Sequence, residues 1–150
     1  MTTTIYFDAF YRKETGEIYT AIVCQDYSEL TCEKLQGTSS GHAEWIAALS
    51  ALEYAAGLRL NVSIGCGLGD IKLAGDAKVV TEQMENPDRL KHNEAGRNAD
   101  LVAYQRYAMG LCEEIGGVEW GWVSTDDNPA GQYIRRKQQA GVMRAKGLLA

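Results

Sequence analysis

The sequence predicts a single mixed α/β domain, an antiparallel meander continued by βα units into a sheet with helices on both faces. Three observations lead there. The chain has 150 residues, the size of one ordinary domain. Hydrophobic residues make up 45% and charged residues 23%, with 2 prolines and no low-complexity tract, the composition of a folded globule. The pattern along the chain reads β-β-β-α-β-α-α-β-α, without an internal repeat. Residues 1–150 are therefore expected to form one unit.

The first strand covers 3–10, where Ile5, Phe7 and Ala9 alternate with Tyr6, Asp8 and Phe10. Glu14-Thr15-Gly16-Glu17 supplies a turn, and 18–23 pairs back as a hairpin. A weaker third strand spans about 29–36. Gly37 to Gly41 breaks the pattern, and a strong helix covers 42–56. Trp45, Leu49, Leu52 and Ala56 form its apolar stripe, beside a face of small residues (Ala48, Ala51, Ala55) headed by Glu44. The glycine-rich 60–69 reads as a loop or a short extra strand. A strand at 70–75, a short helix at 76–84 and a polar connection at 86–98 follow. A long helix at 99–115 ends at Gly116-Gly117. A strand at 118–123 precedes Asn128-Pro129, an N-cap with proline at the first helical position, which starts a last helix running to about 144.

Lys and Arg number 15 and Asp and Glu 20, a net charge of −5, which at first sight argues against a nucleic-acid partner. The basic residues are not spread evenly, however. They gather at Arg89, Lys91 and Arg97 (with His92) and at Arg135, Arg136, Lys137, Arg144 and Lys146. The four cysteines show neither a CxxC pair nor a zinc-ligand rhythm. The first residues lack the basic start and apolar core of a secretory leader, so free thiols and a cytoplasmic location are expected. No apolar run approaches the roughly 20 residues of a membrane span.

Three acids occupy unusual places: Asp8 inside the first strand, Glu44 in the first turn of a helix, and Asp76 at a strand-to-helix junction. Each has a plainer reading taken singly, such as N-capping for Asp76 or the helix dipole for Glu44. Asp8 is the hardest to explain that way, because an acid within YFDAF lowers strand propensity. Carboxylates brought together would repel, and a divalent cation is the natural remedy. Their oxygen chemistry suits Mg²⁺, with Mn²⁺ as a substitute.

The ordered set of motifs resembles the ribonuclease H family, type I. The matching stretches are Ile5-Tyr6-Phe7-Asp8-Ala9, Ser39-Ser40-Gly41-His42-Ala43-Glu44, Ala74-Gly75-Asp76-Ala77-Lys78-Val79-Val80, and Ser124-Thr125-Asp126-Asp127-Asn128 after the last strand. The resemblance implies a ribonuclease H-like fold, a five-stranded mixed sheet with strands one to three antiparallel and helices on both faces. It also implies Mg²⁺-dependent, two-metal cleavage of the RNA strand of RNA–DNA hybrids, by a monomer without a membrane partner. Asp8, Glu44 and Asp76 fall on three of the family's metal-binding, catalytic carboxylates. The fourth follows the last motif's asparagine by four positions, which here is Gln132. An amide is a poorer ligand, so Asp126 or Asp127 is a possible substitute from the loop. Ser39, Ser40, His42, Lys78 and Asn128 are the expected nucleic-acid contacts. Where the family has paired asparagines this chain has Ser40 and Gly41, and 124–127 lacks a catalytic histidine. Two alternatives stay open: a nuclease of the same fold acting on structured DNA, and a catalytically weakened nucleic-acid-binding or interaction module.

Overall fold

Alternation along the first strand decides which side of the sheet each residue serves. In the computed structural model, which describes residues 2–25, 29–61, 69–76, 78–86 and 99–145, β1 runs Thr2–Arg12. Ile5, Phe7 and Ala9 face the larger core, and Tyr6 faces the smaller one on the other side. β2 (Glu17–Cys24) returns antiparallel and divides in the same way. Ile22 and Cys24 join the larger core, Ala21 and Val23 the smaller. β3 (Glu29–Gln36) pairs antiparallel with β2.

Helix α1 (Ser40–Asn61) then crosses the larger face. The expected end at Ala56 is overrun by a turn, because Leu58 is buried in the core while a Cβ at Gly57 would meet nothing. β4 (Asp70–Gly75) inserts parallel to β1, and α2 (Lys78–Glu85) begins two residues later than expected. α3 (Ala99–Ile115) packs Val102, Ala108, Leu111 and Ile115 into the same core. Positive φ values at Gly116 and Gly117 provide the anticipated cap, with both amides donating to the Cys112 carbonyl. β5 (Val118–Trp122) pairs parallel with β4. A short 3₁₀ turn, Thr125–Asp127, leads into α4 (Pro129–Ala145), which covers the opposite face through Ala130 and Ile134.

The sheet order is therefore β3-β2-β1-β4-β5, five strands with helices on both faces, as the sequence predicts. The larger core centres on Trp45, wholly buried, whose indole N–H donates to Gln83 Oε1 at 2.6 Å. The Gln105 amide donates to the Gln83 carbonyl at 2.8 Å, so Gln83 satisfies Trp45 and Gln105 between α1, α2 and α3. Among the described residues no helix is long and apolar enough to cross a membrane. Cys24, Cys32 and Cys112 are free thiols. The stretches 62–68 and 87–98, with Arg89, Lys91, His92 and Arg97, lie outside the described residues, as does Lys146.

Candidate metal centre

β1 and β4 are parallel neighbours in the middle of the sheet, and the candidate site sits at their carboxyl ends, where open α/β sheets place ligands. The ladder pairs Tyr6 with Ala74. Two residues further on, Asp8 and Asp76 come level with each other. Asp8 points to the α4 side of β1, as its even position dictates. Gly75 keeps β4 close: a Cβ there would stand 2.8 Å from the Phe7 ring. The Asp76 backbone is held from the β5 side, where the Trp122 indole donates to the Asp76 carbonyl at 3.0 Å and the Val123 amide to the Gly75 carbonyl at 3.0 Å. Glu44 enters from the first turns of α1, whose N-terminus is capped by Ser39 Oγ accepting from the His42 amide at 3.0 Å.

The result is a cluster in which Asp8, Glu44 and Asp76 each offer a carboxylate oxygen within 4.8 Å of the others. Opposite ligands of one Mg²⁺ lie about 4.2 Å apart at ordinary bond lengths, so a small inward movement of the carboxyls suffices to share an ion. At an effective dielectric of 20, two charges at this spacing repel by about 3–4 kcal/mol. Burial, followed by the Asp76 charge and a hydrogen bond with Asp76, pushes Asp8 from 3.8 up to about 7, with Arg135 pulling weakly the other way. Burial first, then the charges of Asp8 and Asp76, push Glu44 from 4.5 up to about 9. Glu44 Oε2 is buried without a hydrogen-bond partner. An orphaned carboxylate oxygen facing two further acids fits a divalent cation better than any group the chain itself supplies.

The other wall of the site is α4. A cleft of about 430 Å³ is lined by the three acids, by Ala9, Phe10 and Thr125, and by Gly131, Ile134, Arg135 and Gln138. Positions 131, 135 and 138 recur at helical spacing and present one stripe to Asp8. The approach is close enough that a Cβ on Gly131 would lie 2.6 Å from Asp8 Oδ2. Asn128 sets this phase. It is wholly buried, its amide donates to the Phe7 carbonyl at 3.0 Å, and its Oδ1 accepts from the Ala130 amide at 3.1 Å. Asn128 therefore clamps α4 to β1 and has no exposed edge to offer nucleic acid.

Gln132 is rotated out of the stripe, and its amide donates to the Asp126 carbonyl at 2.7 Å. Asp127 accepts from Ser124 Oγ at 2.8 Å and, like Asp126, is exposed. Neither the amide nor the loop acids join the three-carboxylate cluster. Sequence counting placed the fourth ligand at Gln132. The residues that do face the acids, Arg135 and Gln138, were missed as site residues, although their spacing from Gly131 was the available signal.

The remaining expected contacts surround the N-terminus of α1 and the end of β4. Ser40 is exposed. His42 accepts from the Thr38 amide at Nδ1 (3.2 Å), which puts its proton on Nε2, 2.7 Å from the Tyr104 hydroxyl. Its ring stacks on Tyr104. Lys78 holds its ammonium 5.5 Å from the centre of the half-exposed Trp122 ring.

A central parallel pair flanked by an antiparallel meander, with acids at the ends of β1 and β4 and in α1, is the ribonuclease H-like fold. Solved structures agree. RNase H1 from the halophilic archaeon Halobacterium salinarum NRC-1 aligns with a TM-score of 0.61 at 22% identity, over 89% of this chain and 93% of that one. LC11-RNase H1 in complex with RNA/DNA hybrid gives 0.68 at 15% identity, over 87% and 91%. The N-terminal RNase H domain of a Mycobacterium tuberculosis protein gives 0.61 at 17%, over 89% and 95%. No family model and no curated protein matches the sequence.

Proposed function

We propose that this chain is a Mg²⁺-dependent endoribonuclease that cuts the RNA strand of RNA–DNA hybrids. The single observation that carries the proposal is the cluster of Asp8, Glu44 and Asp76, which bring one carboxylate oxygen each within 4.8 Å of the others in an open cleft. The fold supports it, since a structural neighbour is an RNase H1 in complex with RNA/DNA hybrid.

Asp8, Glu44 and Asp76 would hold the cation, which when bound supplies an activated water and offsets the phosphate's charge. The chain's own residues do the rest. Asp8 lies between the other acids and α4. Asp76 is fixed by the Trp122 and Val123 hydrogen bonds to its strand end. The Gln138 amide nitrogen, buried without a partner, lines the same cleft and offers a donor to a phosphate oxygen. In the hydrolysis the water oxygen bonds to phosphorus, the bond to one ester oxygen breaks, and that oxygen takes a proton. Thr38 and Ser40, exposed just before and at the start of α1, carry hydroxyls that could bond an RNA strand's 2′-OH groups.

The test compares labelled hybrid, double-stranded RNA, double-stranded DNA and a branched DNA junction in Mg²⁺ and in Mn²⁺, for the native chain and for Asp8→Asn. Hybrid alone should be cut. Asp8→Asn should lose about 10³-fold in rate, the several kcal/mol expected of a lost metal contribution. Full activity in Asp8→Asn sinks the assignment, and junction cutting moves the substrate to structured DNA. Hybrid binding without cutting favours the binding-module reading, for which the departure at Gln132 speaks.

A further inference from the structure

We infer that Arg135 takes the place of a second metal ion: the centre holds one divalent cation on Asp8, Glu44 and Asp76, and the Arg135 guanidinium, with the Gln138 amide beside it, grips the substrate phosphate from the α4 side. The inference rests on the nuclease reading and adds to it a metal count and a phosphate-binding pair.

Three features of the cleft lead to it. The first is the donor set. Among the described residues only Asp8, Glu44 and Asp76 gather as a possible metal site. Three carboxylates suit one Mg²⁺ that keeps waters and a phosphate in its remaining positions. A second ion would need ligands from α4, and that wall offers no carboxylate. The stripe facing Asp8 runs Gly131, Ile134, Arg135 and Gln138, with no acid among them, while Gln132 is turned away to the Asp126 carbonyl.

The second feature is charge. A second cation would enter a cleft already lined by a guanidinium. Arg135 sits one helical turn beyond Gly131, the residue whose Cα lies hardest against Asp8. Its charge is felt at Asp8. It therefore supplies positive charge to the cleft from the α4 side. A guanidinium presents a planar fork of donors that matches two oxygens of one phosphate.

The third feature is Gln138. Its Nε2 is buried with no hydrogen-bond partner and lines the cleft one turn beyond Arg135. An orphaned donor is costly unless something arrives to accept from it. A phosphate oxygen held by Arg135 is such an acceptor; a second metal ion is not.

The experiment has two readouts, neither of which is turnover. Titration calorimetry with Mn²⁺ alone should find one site per chain in the native protein and one in Arg135→Gln. Binding of a short RNA–DNA hybrid in Ca²⁺, followed against salt, should weaken about tenfold or more in Arg135→Gln, which loses a charge-assisted contact to phosphate. The slope of log affinity against log salt should fall by about 0.9, one phosphate contact. Arg135→Lys should keep the slope and lose part of the affinity. Arg135 is exposed, so the variants should melt with the native chain. Two Mn²⁺ per native chain, or an unchanged hybrid affinity and slope in Arg135→Gln, overturns the inference and leaves the nuclease reading standing. No Mn²⁺ bound at all overturns both.

Discussion

Replacing Glu44 by Gln should make the metal-free protein more stable at pH 8 and leave it unchanged near pH 4. The unfolded chain releases the Glu44 proton near 4.5, and the folded chain holds it to about 9. Between those values the folded state binds more protons than the unfolded one, so stability falls as pH rises, by about 1.4 kcal/mol per unit for one such group. Asp8, held up to about 7, adds a shorter window of the same sign, from its ordinary 3.8 upward. By pH 8 the Glu44 contribution reaches about 5 kcal/mol as an upper bound, and relaxation of the site should leave about 2–5 kcal/mol. Gln is nearly the shape of the protonated acid and carries no such penalty.

The assay is thermal and urea unfolding in EDTA, from pH 4 to pH 8.5, for the native chain and Glu44→Gln. At about 2–4 °C per kcal/mol for a chain of this length, Tm should rise by about 5–20 °C at pH 8. Excess Mn²⁺ should raise the native Tm at pH 8 and do little for Glu44→Gln, because ligands must be deprotonated to bind and the ion stabilises only the state that holds it. A gain of equal size at pH 4 and pH 8 refutes the reasoning, since it would come from packing and not from charge. A loss at pH 8 refutes it outright.

Two further outcomes follow from the α4 wall. Gly131→Ala should change metal-free stability by no more than about 1 kcal/mol, because alanine favours the helix while its Cβ displaces the end of Asp8; Mn²⁺ affinity, read by calorimetry, should fall about tenfold or more, and unchanged affinity would show that Asp8 can move without cost. Gln132→Asp should not raise the cleavage rate at low Mg²⁺, because its side chain is directed to the Asp126 carbonyl; it should cost about 1 kcal/mol for the lost hydrogen bond, and a clear gain in rate would mean that α4 can rotate to bring position 132 into the cleft.

The parts of the fold that were legible in the sequence are those written in local periodicity. Ile5, Phe7 and Ala9 alternate with Tyr6 and Asp8, and that alternation assigned the faces of β1 correctly. Gly116-Gly117 and Asn128-Pro129 marked helix ends because caps are chemistry within a few residues. The three clustered acids were legible for a similar reason: each breaks a local rule where it stands, which is where functional residues are expected to show. The end of α1 was not legible, because Leu58 extends the helix by burying itself in the larger core, which no local signal records. Nor was the phase of α4. Counting from Asn128 finds position 132, but the clamp of Asn128 on the Phe7 carbonyl and the close approach at Gly131 turn that helix until Arg135 and Gln138 face the acids. A helix's rotation about its axis is a tertiary quantity, and an offset along the chain determines it only when the packing is already known.

The net charge of −5 acquires a local meaning from this geometry. Asp8, Glu44 and Asp76 are three of the acids, and the fold holds them together by backbone devices that do not depend on their charge: the β1–β4 ladder, the Ser39 cap and the Trp122 hydrogen bond. The empty cleft relieves that repulsion by keeping the Glu44 proton up to about 9, and a cation held there would have to displace it, so metal affinity should rise with pH. In the proposed nuclease, phosphate would then approach a site whose acids the ion neutralises and whose α4 wall carries Arg135. Acidity overall and affinity for a polyanion are compatible on these terms, provided the ion comes first, which is why hybrid binding should depend on the divalent cation as steeply as on salt.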